Sequence, residues 1–255
     1  MRTEVYRLLT KVKNLCKSNY FEGLQKDINE KMRAILVDWL VDVHSKFKMN
    51  HQTLFLTVNI IDRYLEQITV PRTQLQLVGV SALFIAAKYE EIYPPDLKEF
   101  VRCCDNTYTA DQILEVESNL ILVLNFNLVF TSCYQFFELF SQKSKPTVTL
   151  VSFEGEGFSL ALYLLYLSTL EFLMAKFRPS IVAMAAIYLS NKFLRLGMWH
   201  EDLPSVIGSS EKEIKECALD LFLLVQKAKK STLTAILRKF SSQKFHYVSQ
   251  IQIKV

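Results

Sequence analysis

The segment LVGVSALFIAAK (77–88) is apolar on nearly every side and ends in a lysine. A helix of that composition is stable only when other helices surround it. A lone charge on such a helix costs several kcal/mol, so each one needs a partner. Arg33 raises the same problem within MRAILVDW (32–39), where Met32, Ile35, Leu36, Trp39, Leu40, Val43 and Phe47 recur at helical spacing. Two carboxylates lie on comparable helices: Asp62, and Glu117, which sits between Ile113 and Leu120. Arg33 with Asp62 reads as an internal ion pair that fixes helix packing. Lys88 with Glu117 admits two readings: a second internal pair, or a charged rim that waits for another protein.

A chain of 255 residues with 50% hydrophobic content buries one full core or two smaller ones. Gly and Pro number six each, too few for a β-sandwich or barrel with many tight turns. No GxGxxG, GxxxxGK[ST], HExxH or GxSxG pattern occurs, which removes the usual phosphate loops, zinc sites and nucleophile elbows. The cysteines (Cys16, Cys103, Cys104, Cys133, Cys217) form no CxxC pair and read as small apolar fillers in a reducing compartment. His44, His51, His200 and His246 are scattered, so neither a metal nor a cofactor is expected. The apolar run FSLALYLLYLSTLEFLMA (158–175) contains Ser159, Ser168, Thr169 and Glu171 and reads as a buried helix rather than a membrane span. Leu221–Val255 holds seven Lys or Arg and no acid, either a solvated basic end or a site for phosphate or an acidic partner.

The class is all-α. Periodicity predicts an amphipathic N-terminal helix over about 3–25, carried by Val5, Leu8, Leu9, Val12 and Leu15. Asp27 and Glu30 then read as a capping box for a helix to about Lys48. Further helices follow over about 52–67, capped by Asn50, and over about 73–89 after Pro71. A short one ends near Cys103, and Thr109 with Gln112 caps another over about 110–124. The order then repeats. SALFIAAKY (81–89) aligns with AAIYLSNKF (185–193), placing Lys88 over Lys192. DQILEVESNLILVL (111–124) aligns with KEIKECALDLFLLV (212–225), placing Glu117 over Ala218. This predicts a tandem duplicated five-helix unit with an additional N-terminal helix. The expected segments are 1–26, 27–130 and 131–255. The second copy keeps the lysine and lacks the carboxylate, which hints at a duty specific to the first.

DINEKMRAILVDWLVDVHSKF (27–47), LTVNIIDRYL (56–65), LQLVGVSALFIAAKYEEIYPP (75–95) and the Glu117 helix resemble the cyclin box. The match is closest to mitotic cyclins of the A and B types, with B-type character in DINEKMRAI and VHSKF. It is strong over about 27–130 and continues, weaker, to FHYVS (245–249). Five residues that mark the family's first fold are present: Arg33, Asp62, Leu77, Lys88 and Glu117.

The resemblance implies a regulatory subunit, itself no enzyme, that binds and activates a cyclin-dependent kinase in mitotic control, in nucleus and cytoplasm. Lys88 and Glu117 would bond main-chain groups beside the kinase's αC helix, and Ile121, Phe126 and Leu128 would supply apolar contact. Met32, Ile35, Leu36, Trp39, Leu75 and Gln76 would line a groove for Arg-x-Leu peptides of substrates or inhibitors. Asp42 would hold the arginine where the family commonly has Glu. Mitotic members usually carry a long N-terminal tail with an RxxL destruction signal. Only about 26 residues precede the box here, without RxxL or KEN, which implies a shortened chain or turnover by another route. The rivals are a transcription-type cyclin and a general transcription factor of the B type. The latter would need a zinc ribbon and basic faces, so no nucleic-acid or membrane partner is expected.

Overall fold

The structure, a computed structural model, describes residues 15–16, 19–141, 155–197, 199 and 203–251. Among them every regular element is helical and no strand occurs. The chain forms two compact units, divided between Phe130 and Thr131.

The first unit contains α1 (Glu30–Lys46), α2 (His51–Leu65), α3 (Leu75–Glu90), α4 (Leu97–Cys103) and α5 (Ala110–Val123). α3 is the hub, packed against α1, α2, α4 and α5. Its residues from Leu77 through Ala87 are all buried, which accounts for a sequence apolar on nearly every side. Gly79 lets α1 approach closely: a Cβ there would stand 2.6 Å from Leu36 Cδ1. Ser81 Oγ, buried within α3, donates to the Ile113 carbonyl of α5 at 3.2 Å and so ties the two helices.

The second unit contains α6 (Cys133–Ser141), α7 (Gly155–Leu170), α8 (Pro179–Leu194), α9 (Leu203–Val206), α10 (Glu211–Ala228) and α11 (Ala235–Phe240). Here α8 is the hub, packed against α6, α7 and α10. The duplicated order is visible down to the helix caps. At α5, Thr109 Oγ1 accepts from Gln112 N at 3.2 Å while Gln112 Oε1 accepts from Thr109 N at 2.8 Å. At α10, Ser210 and Glu213 repeat that reciprocal box with the same two distances. α7 is buried along most of its length and ends at Leu170, so the apolar run near 158–175 is interior packing. Among the described residues no helix is long and apolar enough to cross a membrane.

Two expectations are corrected. Of the N-terminal helix placed over 3–25, residues 3–14, 17 and 18 lie outside the described residues, and 20–24 form turns. The polar side chains at its end explain why. Tyr20 OH donates to Asp62 Oδ1 at 2.8 Å. Gln25 Nε2 donates to the Leu65 and Ile68 carbonyls, each at 2.6 Å, and Gln25 Oε1 accepts from Val70 N at 3.1 Å. Leu65 is the last residue of α2, so Gln25 serves carbonyls that a helix end leaves open. The second correction concerns the cap of α1. Asn29 holds that place, its Oδ1 accepting from Met32 N at 3.0 Å. Asp27 instead accepts from Arg72 N at 2.8 Å, fastening the approach to α3.

The acid-free stretch toward the C-terminus is partly absorbed by the fold. Lys227 pairs with Glu171 at 2.5 Å, Lys229 Nζ donates to the Ile251 carbonyl at 3.0 Å, and Lys239 Nζ lies 4.8 Å from the centre of the Tyr166 ring. Burial, with Lys244 adding like charge, lowers the Lys239 pKa from 10.5 to about 8. Between those two values the unfolded chain holds a proton that the folded chain has released, so folding stability rises with pH across that window. Below about 8 both states are protonated and the burial penalty is full. Lys239→Met is therefore expected to raise the second unit's thermal midpoint at pH 7 by a few degrees. The gain should shrink at pH 9.5, as followed by paired calorimetric scans.

Candidate functional site

Arg33 and Asp62 meet inside the first unit. Arg33 Nε donates to Asp62 Oδ1 at 2.6 Å and Arg33 Nη2 to Oδ2 at 2.7 Å, a bidentate fork. Both residues are under one-tenth exposed. Burial works against the guanidinium charge, yet Asp62 more than reverses that effect and raises the Arg33 pKa above its ordinary value. Tyr20 completes the cluster from outside the helices, and burial beside Asp62 pushes its phenol well up. This tyrosine escaped the sequence reading because it fell inside a stretch read as an amphipathic helix.

Lys88 and Glu117 also form an ion pair, across α3 and α5. Their exposures differ sharply: the Lys88 side chain is 44% exposed and that of Glu117 only 9%. Lys88 Nζ additionally lies 4.2 Å from the centre of the Phe84 ring. The lysine thus stands at the surface over a carboxylate that looks inward, which is neither a fully internal pair nor two charges facing outward.

Ile121 lies one helical turn beyond Glu117 on α5. Ile121 and Leu128 are half-buried, and Phe126 is 72% exposed. Phe126 and Asn125 take left-handed backbone, with φ of 56° and 52°. A bulky residue costs about 1–3 kcal/mol in that region, and here it turns a large ring out into solvent. The loop is anchored from below, where Arg63 Nη1 donates to the Asn127 carbonyl at 2.9 Å. Leu122, at 64% exposed, and Ile92 and Tyr93, more exposed still, belong to the same unit and were not singled out from the sequence.

The groove residues lie on α1 and at the start of α3. Ile35 is exposed, Met32, Trp39 and Gln76 are half-buried, and Leu36 and Leu75 are buried. Met32, Ile35, Leu36 and Trp39 share one stripe of α1 by their spacing of three and four, and exposed Asp42 lies one turn beyond Trp39. The stripe is therefore layered. Leu36 and Leu75 are interior, with Leu36 held against Gly79, while Ile35, Met32 and Trp39 remain accessible.

Comparison with known proteins gives this arrangement a context. Residues 4–129 match the family described as cyclin, N-terminal domain, and residues 131–254 match cyclin, C-terminal domain. The chain is 41% identical over 233 residues to "G2/mitotic-specific cyclin-B" of Spisula solidissima, covering 91% of this chain and 52% of that protein. It is 40% identical over 233 residues to "Cyclin-B2-1" of Oryza sativa subsp. japonica, covering 90% of this chain and 53% of the relative. It thus spans about half the length of the curated relatives it matches. Among solved structures, a viral cyclin from herpesvirus saimiri superposes with a TM-score of 0.75 at 12% identity, over 89% of this chain and 96% of that one. With both cyclin domains matched in tandem and B-type relatives aligned across nine-tenths of its length, the chain belongs to the cyclin family.

Proposed function

We propose that this protein is the regulatory subunit of a cyclin-dependent serine/threonine kinase acting in mitosis, and that it also docks Arg-x-Leu-bearing substrates or inhibitors. The observation that carries the proposal is the half-exposed Lys88–Glu117 pair in a unit that also exposes large apolar residues, Leu122 and Phe126 among them. A protein kinase is active when the glutamate of its αC helix pairs with the β3 lysine and its activation loop is clear. A rigid apolar face with one cation at its rim suits the task of holding αC in place. Lys88 would donate to main-chain carbonyls at the end of αC, and Glu117 would accept from main-chain amides. Ile121, Phe126 and Leu128 would lie beneath the helix. The names of the relatives favour a mitotic role over a transcriptional one. The place of action in this reading is nucleus and cytoplasm. The direct test is reconstitution. Mixed with a purified cyclin-dependent kinase subunit, the chain should co-elute with it and raise histone phosphorylation far above the kinase alone. Absence of both effects across the mitotic kinases would overturn the proposal.

The α1 groove is the second site in this reading. Met32, Ile35 and Trp39 offer an apolar seat for a leucine, and Asp42 offers a carboxylate for an arginine. A charge-assisted hydrogen bond of that kind contributes about 1.5–3 kcal/mol. One such bond and a small apolar seat give micromolar binding, since 1 μM corresponds to about −8 kcal/mol. Met32→Ala combined with Trp39→Ala should abolish peptide binding by calorimetry and slow phosphorylation of Arg-x-Leu substrates. Phosphorylation of a short substrate without the motif should continue, because activation uses other residues. Equal peptide affinity in the wild type and the double variant would remove the groove from the proposal.

A further inference from the structure

The second unit repeats the elements that carry the Lys88 platform, with one chemical difference. Lys192 stands at the end of α8 where Lys88 stands at the end of α3, and Ala218 of α10 replaces Glu117. Lys192 is exposed and makes no ion pair or hydrogen bond among the described residues. Three of the four acids on α10 are engaged elsewhere, Glu211 with Lys215 at 2.9 Å, Asp220 with Lys176 at 2.8 Å and Glu213 in the cap with Ser210, while Glu216 is exposed.

Lys192 also lines a cavity of about 480 Å³, together with Tyr188, Asn191, Arg195, Gly197 and Trp199. Arg195 is a second exposed cation and has no carboxylate within ion-pair distance among the described residues. Trp199 packs edge-on against Tyr188, ring centres 4.8 Å apart, and its buried indole N–H has no acceptor among the described residues. Two cations and an unused donor thus border one concavity whose described lining residues include no acid.

The helix packed against α8 carries an exposed apolar stripe. Leu219 and Leu223 of α10 are 58% and 50% exposed, one helical turn apart. α10 packs on α8, and the Phe222 and Phe193 rings of the two helices lie 6.0 Å apart. Leu223 aligns with Leu122, which is likewise exposed in the first unit. One exposed leucine is therefore common to the two units, Leu219 is apolar where the first unit has Ser118, and the internal carboxylate has been lost.

We infer that the cavity at Tyr188, Lys192, Arg195 and Trp199 receives an acidic side chain from a partner polypeptide, whose neighbouring aliphatic or aromatic residue rests on Leu219 and Leu223. Charge complementarity selects this occupant. In the first unit a carboxylate from the chain itself satisfies the lysine, and in the second the carboxylate comes from outside. The site lies wholly within the second unit and is distinct from both sites of the proposed function.

The test uses the full chain and a panel of fluorescent 15-residue peptides carrying Glu or Asp beside Leu or Phe, each paired with its Gln or Asn counterpart. Anisotropy should show binding of acidic peptides and at least about tenfold weaker binding of the amides, the loss of one charge-assisted contact. Lys192→Ala and Arg195→Ala change exposed residues and should each weaken binding by about the same factor with unchanged circular dichroism. Ala218→Glu restores the internal carboxylate of the first unit and should block the acidic peptides. If that variant unfolds, the two alanine variants decide. In 15N spectra, acidic peptides should move the Trp199 indole signal, identified by its absence in Trp199→Phe, and leave that of Trp39 in place. Equal binding of acid and amide peptides, full binding by both alanine variants, or no binding by any peptide at 1 mM would each overturn the inference.

Discussion

Arg33→Ala is expected to unfold the first unit or lower its melting point by about 10 °C or more. Removing one partner of a buried ion pair costs about 3–5 kcal/mol, because the other charge is left without compensation. A domain of this size loses roughly 4–8 °C per kcal/mol. Asp62 would keep only the Tyr20 hydroxyl as a described side-chain donor, in a site under one-tenth exposed. Arg33→Lys separates charge from geometry: lysine restores the cation and cannot form the two-pronged contact of 2.6 and 2.7 Å. Its midpoint should fall between those of the wild type and the alanine variant. A thermal midpoint unchanged in Arg33→Ala would show that the pair contributes nothing to the fold.

The second large effect is expected on association rather than folding. Lys88→Ala and Glu117→Ala should each leave helicity by circular dichroism nearly intact and weaken kinase binding by tenfold or more. The fold accommodates an alanine at the equivalent position, Ala218, which is buried. The two substitutions should also differ from each other. Lys88→Ala strands a carboxylate that is 9% exposed and so carries some stability cost, whereas Glu117→Ala leaves a lysine that already reaches solvent. The double variant should therefore be more stable than Lys88→Ala alone, and a thermal double-mutant cycle measures the difference. Normal kinase activation by Glu117→Ala would relocate the platform, and outright unfolding would make the pair a packing device.

The helices were legible because periodicity at three and four residues survives wherever one face is buried. The α5 cap was legible because Thr109 and Gln112 both act locally. The α1 cap was misplaced by two residues, since Asp27 and Asn29 are both good caps and only tertiary structure gives Asp27 its other duty at Arg72. Tyr20 and Gln25 were hidden for the same reason: their partners lie at Asp62, Leu65, Ile68 and Val70, far along the chain. Glu117 stood out as a charge among apolar neighbours. Leu122 did not, because a leucine on a helix reads alike whether it faces the core or the solvent, and only packing separates the two.

The turn at residues 20–25 has a practical consequence for anyone dividing this protein. Motif similarity is strongest from residue 27, although the family match begins at residue 4, and a fragment started at the motif would lose Tyr20 and Gln25. It would lack the hydroxyl on Asp62 and the amide that bonds Leu65, Ile68 and Val70. The boundary set by the conspicuous motif and the boundary set by hydrogen bonding are therefore different, and the second lies at least seven residues upstream, at Tyr20. Domain libraries cut at the motif would present a first unit with an open seam, and its poor yield would be misread as a property of the whole fold.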